Sequence, residues 1–171
     1  LEFENIPSRS LDILGESVTV FPGRKALETC QNRAREKQFL KDSGIPHAPF
    51  AIVHSLAELE EALELIGRPA VLKTADFGYD GKGQARIETG MDLEPIWAPY
   101  EGHSAVLEGW VDFIGEYSVI CGRNEQGQLC VYPLIHNTHR DHILHLSLSP
   151  AGVEDSLENA ARNLAMAVAE G

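Results

Sequence analysis

The alternation of apolar and polar positions divides the chain into short strands and a few helices. Residues 10–14 read as a short helix, and Val18-Thr19-Val20-Phe21 as a strand that Pro22-Gly23 ends. Helix formers dominate 24–42 and predict one helix with Arg33 near its middle, stopped by Ser43-Gly44 and Pro46. Residues 48–53 read as a strand. Ser55-Leu56-Ala57-Glu58 has the S-x-x-E spacing of a capping box and opens a helix with Leu59, Ala62, Leu63 and Ile66 on one face, closed by Gly67.

Further strands are expected over 70–74, 84–88 and 105–107. The order helix, strand, helix, strand, loop, strand, strand predicts a small sheet with helices on one face. Residues 116–122 and 129–135 read as strands joined by a turn containing Asn124 and Gly127, with a third strand over 143–148. Residues 154–170 carry Leu157, Ala161, Leu164 and Val168 on a helical stripe with no strand after it to cover it. Residues 1–5 read as the end of a strand whose partners are missing, and a start without methionine and a stop directly after a helical pattern lead one to expect an excised piece of a longer protein. No internal repeat or low-complexity segment is evident.

One predicted strand carries a charge that needs explaining. Val71-Leu72-Lys73-Thr74 leads into Gly78-Tyr79-Asp80-Gly81-Lys82-Gly83-Gln84, and a lysine inside a β run is costly to bury unless an anion meets it. Glycines leave backbone N–H groups bare for phosphate oxygens, and Lys73 and Lys82 add charge from strand and loop. The commonest phosphate motifs do not fit. G-x-x-x-x-G-K-[ST] needs Lys where Gln84 stands, and G-x-G-x-x-G begun at Gly81 needs Gly at Arg86. Because 84–88 alternates like a strand, the loop joins two strands instead of opening a helix. Two readings stand side by side: a flap that folds over nucleotide phosphates, and a solvated hairpin whose glycines make a turn.

Charge and composition narrow the partners. The 171 residues include 26 acidic and 14 basic side chains, a formal charge of −12 that argues against nonspecific nucleic-acid or anionic-membrane binding. No apolar run approaches the about 18 residues of a membrane span and no signal peptide is evident, so a cytoplasmic location is expected. Cys30, Cys121 and Cys130 form no C-x-x-C pair and suit free thiols, although a four-residue turn over 124–127 would set Cys121 opposite Cys130. His136, His139, His142 and His145 recur every third residue, which in a strand alternates between faces, and no H-E-x-x-H is present; no metal site is expected here.

The loop Gly78-Tyr79-Asp80-Gly81-Lys82-Gly83-Gln84 behind Lys73-Thr74 resembles the flap of the 5-(carboxyamino)imidazole ribonucleotide synthase family, the ATP-grasp ligases of purine biosynthesis. The resemblance extends through Glu2-Phe3-Glu4-Asn5, Gln31-Asn32-Arg33 with Glu36-Lys37, Gly44-Ile45-Pro46, residues 108–113, Glu116, and Asn137 with His139. It implies an α+β fold, a partial ATP-grasp, with 1–28 the remnant of a preceding domain and linker, 29–107 the lid, and 108–171 the first part of the core sheet.

The resemblance also implies site roles. Arg33 and Lys73 become ATP-phosphate ligands, where the residues alone leave Arg33 equally a helix-surface charge. Glu108, Gly109, Trp110 and Val111 become the hinge whose backbone meets adenine. Glu116 and His139 contact the nucleotide, Glu116 at the ribose hydroxyls, although the sequence by itself favours reading Glu116 as a solvated charge at the start of a strand. Gly78, Gly81, Gly83 and Gln84 form the flap, expected to be mobile without ligand, and Tyr79, Asp80 and Lys82 at its tip act on the substrates. His136 stands where the family usually has Glu, and His142 where it usually has Gly.

The implied reaction uses ATP to phosphorylate bicarbonate and passes the carboxyl group to 5-aminoimidazole ribonucleotide. It requires Mg2+, whose carboxylates are expected beyond Gly171, so the piece alone is expected to be inactive; the implied parent is a homodimer. Alternatives are another ATP-grasp enzyme of the biotin carboxylase or formate-dependent glycinamide ribonucleotide transformylase type, and a non-catalytic nucleotide-binding module.

Overall fold

The computed structural model describes residues 1, 5–76, 83–141 and 143–171. Gly78, Tyr79, Asp80, Gly81, Lys82 and His142 lie outside the described residues, as do 2–4 of the strand end expected at the N-terminus and most of the loop for which mobility is expected. The fold is α+β, with helices and antiparallel strands, in two compact units: Leu1–Phe39 with His47–Trp110, and Leu40–Pro46 with Val111–Gly171.

The first unit begins with helices α1 (Arg9–Gly15), α2 (Arg24–Cys30) and α3 (Arg33–Asp42), the last running on into the second unit. Two expectations change here. Val18-Thr19-Val20-Phe21 does not form a strand; no strand among the described residues pairs with it, and β-branched residues make a strand only on a ladder. The single helix expected over 24–42 is broken at Gln31-Asn32. Asn32 leaves the helical path to bridge Asp76, and its Oδ1 accepts from the Arg35 backbone N–H at 3.0 Å, which is N-cap geometry. Arg33 is therefore the first residue of α3, not the middle of a longer helix.

Next come β1 (Phe50–Val53), α4 (Leu56–Ile66), β2 (Ala70–Thr74), β3 (Gln84–Ile87), the short α5 (Glu94–Trp97) with a 3-10 turn over Ala98–Tyr100, and β4 (Ala105–Gly109). The capping box forms as expected at Ser55, whose Oγ accepts from Glu58 N–H at 3.2 Å, while the Glu58 carboxylate reaches back to His54 N–H at 2.8 Å. The strands make one antiparallel sheet in the order β1-β4-β2-β3. Its register sorts the side chains. Val53, Ala70, Leu72, Ile87, Ala105 and Leu107 share one face and pack with Leu59, Ala62 and Leu63 of α4 and with Trp97 and Tyr100. The opposite face carries Lys73, Gln84, Arg86, Val106 and Glu108.

The second unit holds β5 (Glu116–Ser118), β6 (Cys121–Arg123), β7 (Leu129–Val131), β8 (Ile135–Arg140), β9 (Ile143–Leu148) and α6 (Asp155–Glu170). The two long strands expected over 116–122 and 129–135 are each divided, so that β5-β8-β9 form one sheet and β6-β7 a separate hairpin. The hairpin register places Cys130 opposite Gly122 and Cys121 opposite Val131, so the cysteines point to opposite faces and both are free thiols. The turn is one residue longer than the four expected, with Asn124 N–H donating to Gln128 O at 3.1 Å, and that residue moves the register. The stripe of α6 supplies Ala161, Leu164 and Val168 to an apolar groove shared with Tyr117, Val119 and Leu134. No helix among the described residues is long and apolar enough to cross a membrane.

Candidate nucleotide site

On the charged face of the four-stranded sheet, β4 lies between β1 and β2, so Glu108 stands beside Val71, two positions from Lys73. That register lets the Lys73 Nζ reach Glu108 Oε1 at 3.1 Å. Lys37, from α3, brings its Nζ to Glu108 Oε2, also at 3.1 Å. Each carboxylate oxygen thus has its own ammonium, and Glu108 is only 8% exposed. Burial alone would push its pKa up, but the fields and hydrogen bonds of Lys73 and Lys37 together outweigh burial and hold the carboxyl below its ordinary value. The anion that the sequence demanded for Lys73 is supplied within the fold by Glu108. The group of three keeps one net positive charge, and Lys73, with 27% of its side chain exposed against 17% for Lys37, is the more accessible ammonium.

The two ends of the loop are held by the junction of β2, β3 and α3. Thr74 N–H donates to Gly83 O at 2.9 Å, and Lys73 pairs with Gln84. Gly83 has φ +69°, and a Cβ on it would lie 2.9 Å from Thr74 Oγ1, so glycine is needed both for backbone and for space. On the α3 side, Arg33 N–H donates to Ala75 O at 2.8 Å, its Nη1 donates to Thr74 O at 2.9 Å, and Asn32 Nδ2 donates to Asp76 Oδ1 at 2.7 Å. The arginine expected at phosphate is here part of the clasp on the end of β2. Sequence reasoning singled out neither Asn32, Asp76 nor Lys37 for a role, because nothing local signals a contact between Asn32 and Asp76, 44 positions apart, or between Lys37 and the still more distant Glu108.

Beyond Glu108, Gly109 and Trp110 are held through their backbone: Gly109 N–H donates to Pro49 O at 2.8 Å and Trp110 N–H to Pro69 O at 3.2 Å. The Arg86 guanidinium stacks 4.0 Å from the centre of a Trp110 ring, with its Nε 2.6 Å from Glu88 Oε1. Arg86 on β3, on the same face as Lys73, therefore props the Trp110 ring.

Within the second unit, Glu116 pairs in register with Asn137, which sets His139, two residues on, on the same side. His139 Nδ1 lies 3.3 Å from Glu116 Oε1, so the structure brings this expected pair together. His136 packs at a tilt against Tyr117 with ring centres 5.2 Å apart, and His145 is the extra residue where the β8-β9 register shifts. No three His, Cys, Asp or Glu side chains among the described residues are grouped to hold a metal.

Comparison with known proteins follows the same lines. The ATP-grasp domain family matches residues 38–171. The N5-carboxyaminoimidazole ribonucleotide synthase of Pseudomonas aeruginosa is 42% identical over 151 residues, covering 88% of this chain and 42% of that protein. The synthase of Bacillus subtilis is 38% identical over 169 residues, covering 99% of this chain and 44% of that protein. Among solved structures, an ADP complex of N5-carboxyaminoimidazole ribonucleotide synthetase superposes with a TM-score of 0.91 at 36% identity, over 99% of this chain and 45% of that one. The chain thus spans less than half the length of these relatives.

Proposed function

From the premise that this chain belongs to the ATP-grasp family, we propose that it is the ATP-binding part of a ligase that carboxylates 5-aminoimidazole ribonucleotide. Bicarbonate attacks the γ-phosphorus of ATP to give carboxyphosphate and ADP; the exocyclic amine of the ribonucleotide then takes the carboxyl group, loses its proton and releases phosphate. The observation that carries this reading is Lys73 on the open charged face, at the root of the glycine loop, paired with a carboxylate whose place a phosphate could take. Its support beyond the geometry is the identity to the two synthases.

In this reading Lys73 and Arg33 contact phosphates, residues 108–111 meet the adenine edge, and Glu116 with His139 holds the ribose side. The N–H groups of Gly109 and Trp110 already have carbonyl partners, so the hinge donor falls to Val111. Gly78, Gly81, Gly83 and Gln84 cover the nucleotide, while Tyr79, Asp80 and Lys82 act on bicarbonate and the amine. The lid spans 29–107 and the start of the core 108–171, after a remnant over 1–28. The described residues do not form a cage for the Mg2+ that the resemblance implies. A homodimeric, cytoplasmic parent rests on the family resemblance.

The test is ADP release by the intact protein with bicarbonate and each acceptor in turn. Turnover that depends on 5-aminoimidazole ribonucleotide is expected. Turnover that depends on biotin, or on formate with glycinamide ribonucleotide, would replace this assignment, and calorimetric titration with ATP but no turnover would reduce it to a nucleotide-binding module.

A further inference from the structure

We propose that Lys37 is a positioning residue of the nucleotide site: it retains the Glu108 carboxylate when a phosphate draws Lys73 away, so that Lys73 can exchange one anion for the other. The inference rests on reading Lys73 as a phosphate ligand.

Three observations carry it. Glu108 is 8% exposed and its two oxygens are divided between two ammonium groups, each at 3.1 Å. A buried carboxylate stripped of its partner is strongly destabilising, so a lone Lys73–Glu108 pair would resist giving up its lysine. With Lys37 in place the carboxylate keeps one full partner throughout. Lys37 and Arg33 are four residues apart on α3 and so share a helix face, which lets one helix hold the end of β2 through Arg33 and the middle of the charged face through Lys37. The charge arithmetic agrees: two lysines against one glutamate leave a net positive site for phosphate, whereas one lysine against one glutamate leaves none.

The test is calorimetric ATP affinity in the intact protein, with folding of the first unit followed by the fluorescence of buried Trp97. Lys37→Met is expected to weaken ATP binding about ten- to a hundredfold. Lys37→Arg should restore most of the affinity. Glu108→Gln should rescue Lys37→Met, because no carboxylate then competes for Lys73. Should Lys37→Met fail to fold, Lys37→Gln keeps a hydrogen-bond donor and should show a smaller loss in the same direction. Wild-type affinity in Lys37→Met, or a double variant that binds no better than Lys37→Met, overturns the proposal. Lys73→Met separates the two layers: if it weakens binding and rescue fails, only the role of Lys37 falls, whereas if it leaves affinity unchanged, the phosphate reading of Lys73 falls and this proposal with it.

Discussion

Replacing Gly83 by alanine should strain the junction of β2 and β3, in two separable ways. At φ +69° an L residue sits in the left-handed region, which costs about 1–2 kcal/mol relative to glycine. The smaller backbone entropy of unfolded alanine offsets about 0.4–1 kcal/mol of that. The new Cβ would also stand 2.9 Å from Thr74 Oγ1 and 3.1 Å from Thr74 Cγ2, so Thr74 must leave its rotamer at about 0.5–1.5 kcal/mol. The net expectation is a loss of about 0.5–3 kcal/mol in the first unit, read by urea unfolding through Trp97, which lies in its core. In a Thr74→Ala background the steric part disappears, since the next contact, to Thr74 Cβ, is 3.6 Å. The two changes should therefore couple by about 1 kcal/mol. Additivity to within about 0.3–0.5 kcal/mol would refute the close-approach argument, and an alanine variant as stable as the parent would refute the backbone argument as well.

Lys73→Met should weaken ATP binding at least tenfold while destabilising the first unit by no more than about 1.5–3 kcal/mol, because Lys37 still neutralises Glu108; calorimetry and urea unfolding measure the two. Glu108, held below its ordinary pKa, contributes stability that is fully present above the unfolded carboxyl value of about 4.3 and is lost as pH falls through the lower folded value. The urea midpoint reported by Trp97 should fall over that acidic window, and Glu108→Gln should lack this component; an identical acid limb in the variant would contradict the assignment. In the intact enzyme, Asp80→Asn should impair carboxyl transfer far more than ATP affinity and leave some bicarbonate-dependent ATP hydrolysis uncoupled from product. Product formation at the parental rate, or loss of ATP binding, would remove Asp80 from that step. Leu63→Ala, emptying a side chain that is 1% exposed between α4 and the sheet, should cost about 2–5 kcal/mol in the same unfolding assay, and a loss below about 1 kcal/mol would show that the site can collapse.

What the sequence determined alone is what acts over one turn or one strand. The Ser55 cap, the stop at Gly67, the strand–loop–strand setting of Lys73 and the amphipathic α4 were legible because donor, acceptor and periodicity sit within a few residues of one another. The flap heptapeptide with the residues around it also sufficed to suggest the family. Tertiary structure decided the rest. Val18-Thr19-Val20-Phe21 has strand propensity but no ladder partner among the described residues, and the helix pattern over 24–42 breaks because Asn32 is drawn to Asp76, 44 positions away. One extra turn residue set the cysteines on opposite faces. The pairing of Lys73 and Lys37 with Glu108 depends on β4 entering the sheet between β1 and β2, and in the sequence Lys37 is one more charge on a charged helix. Local free energy chooses the elements, but a charge acquires its partner only when non-local strand order closes the distance between them.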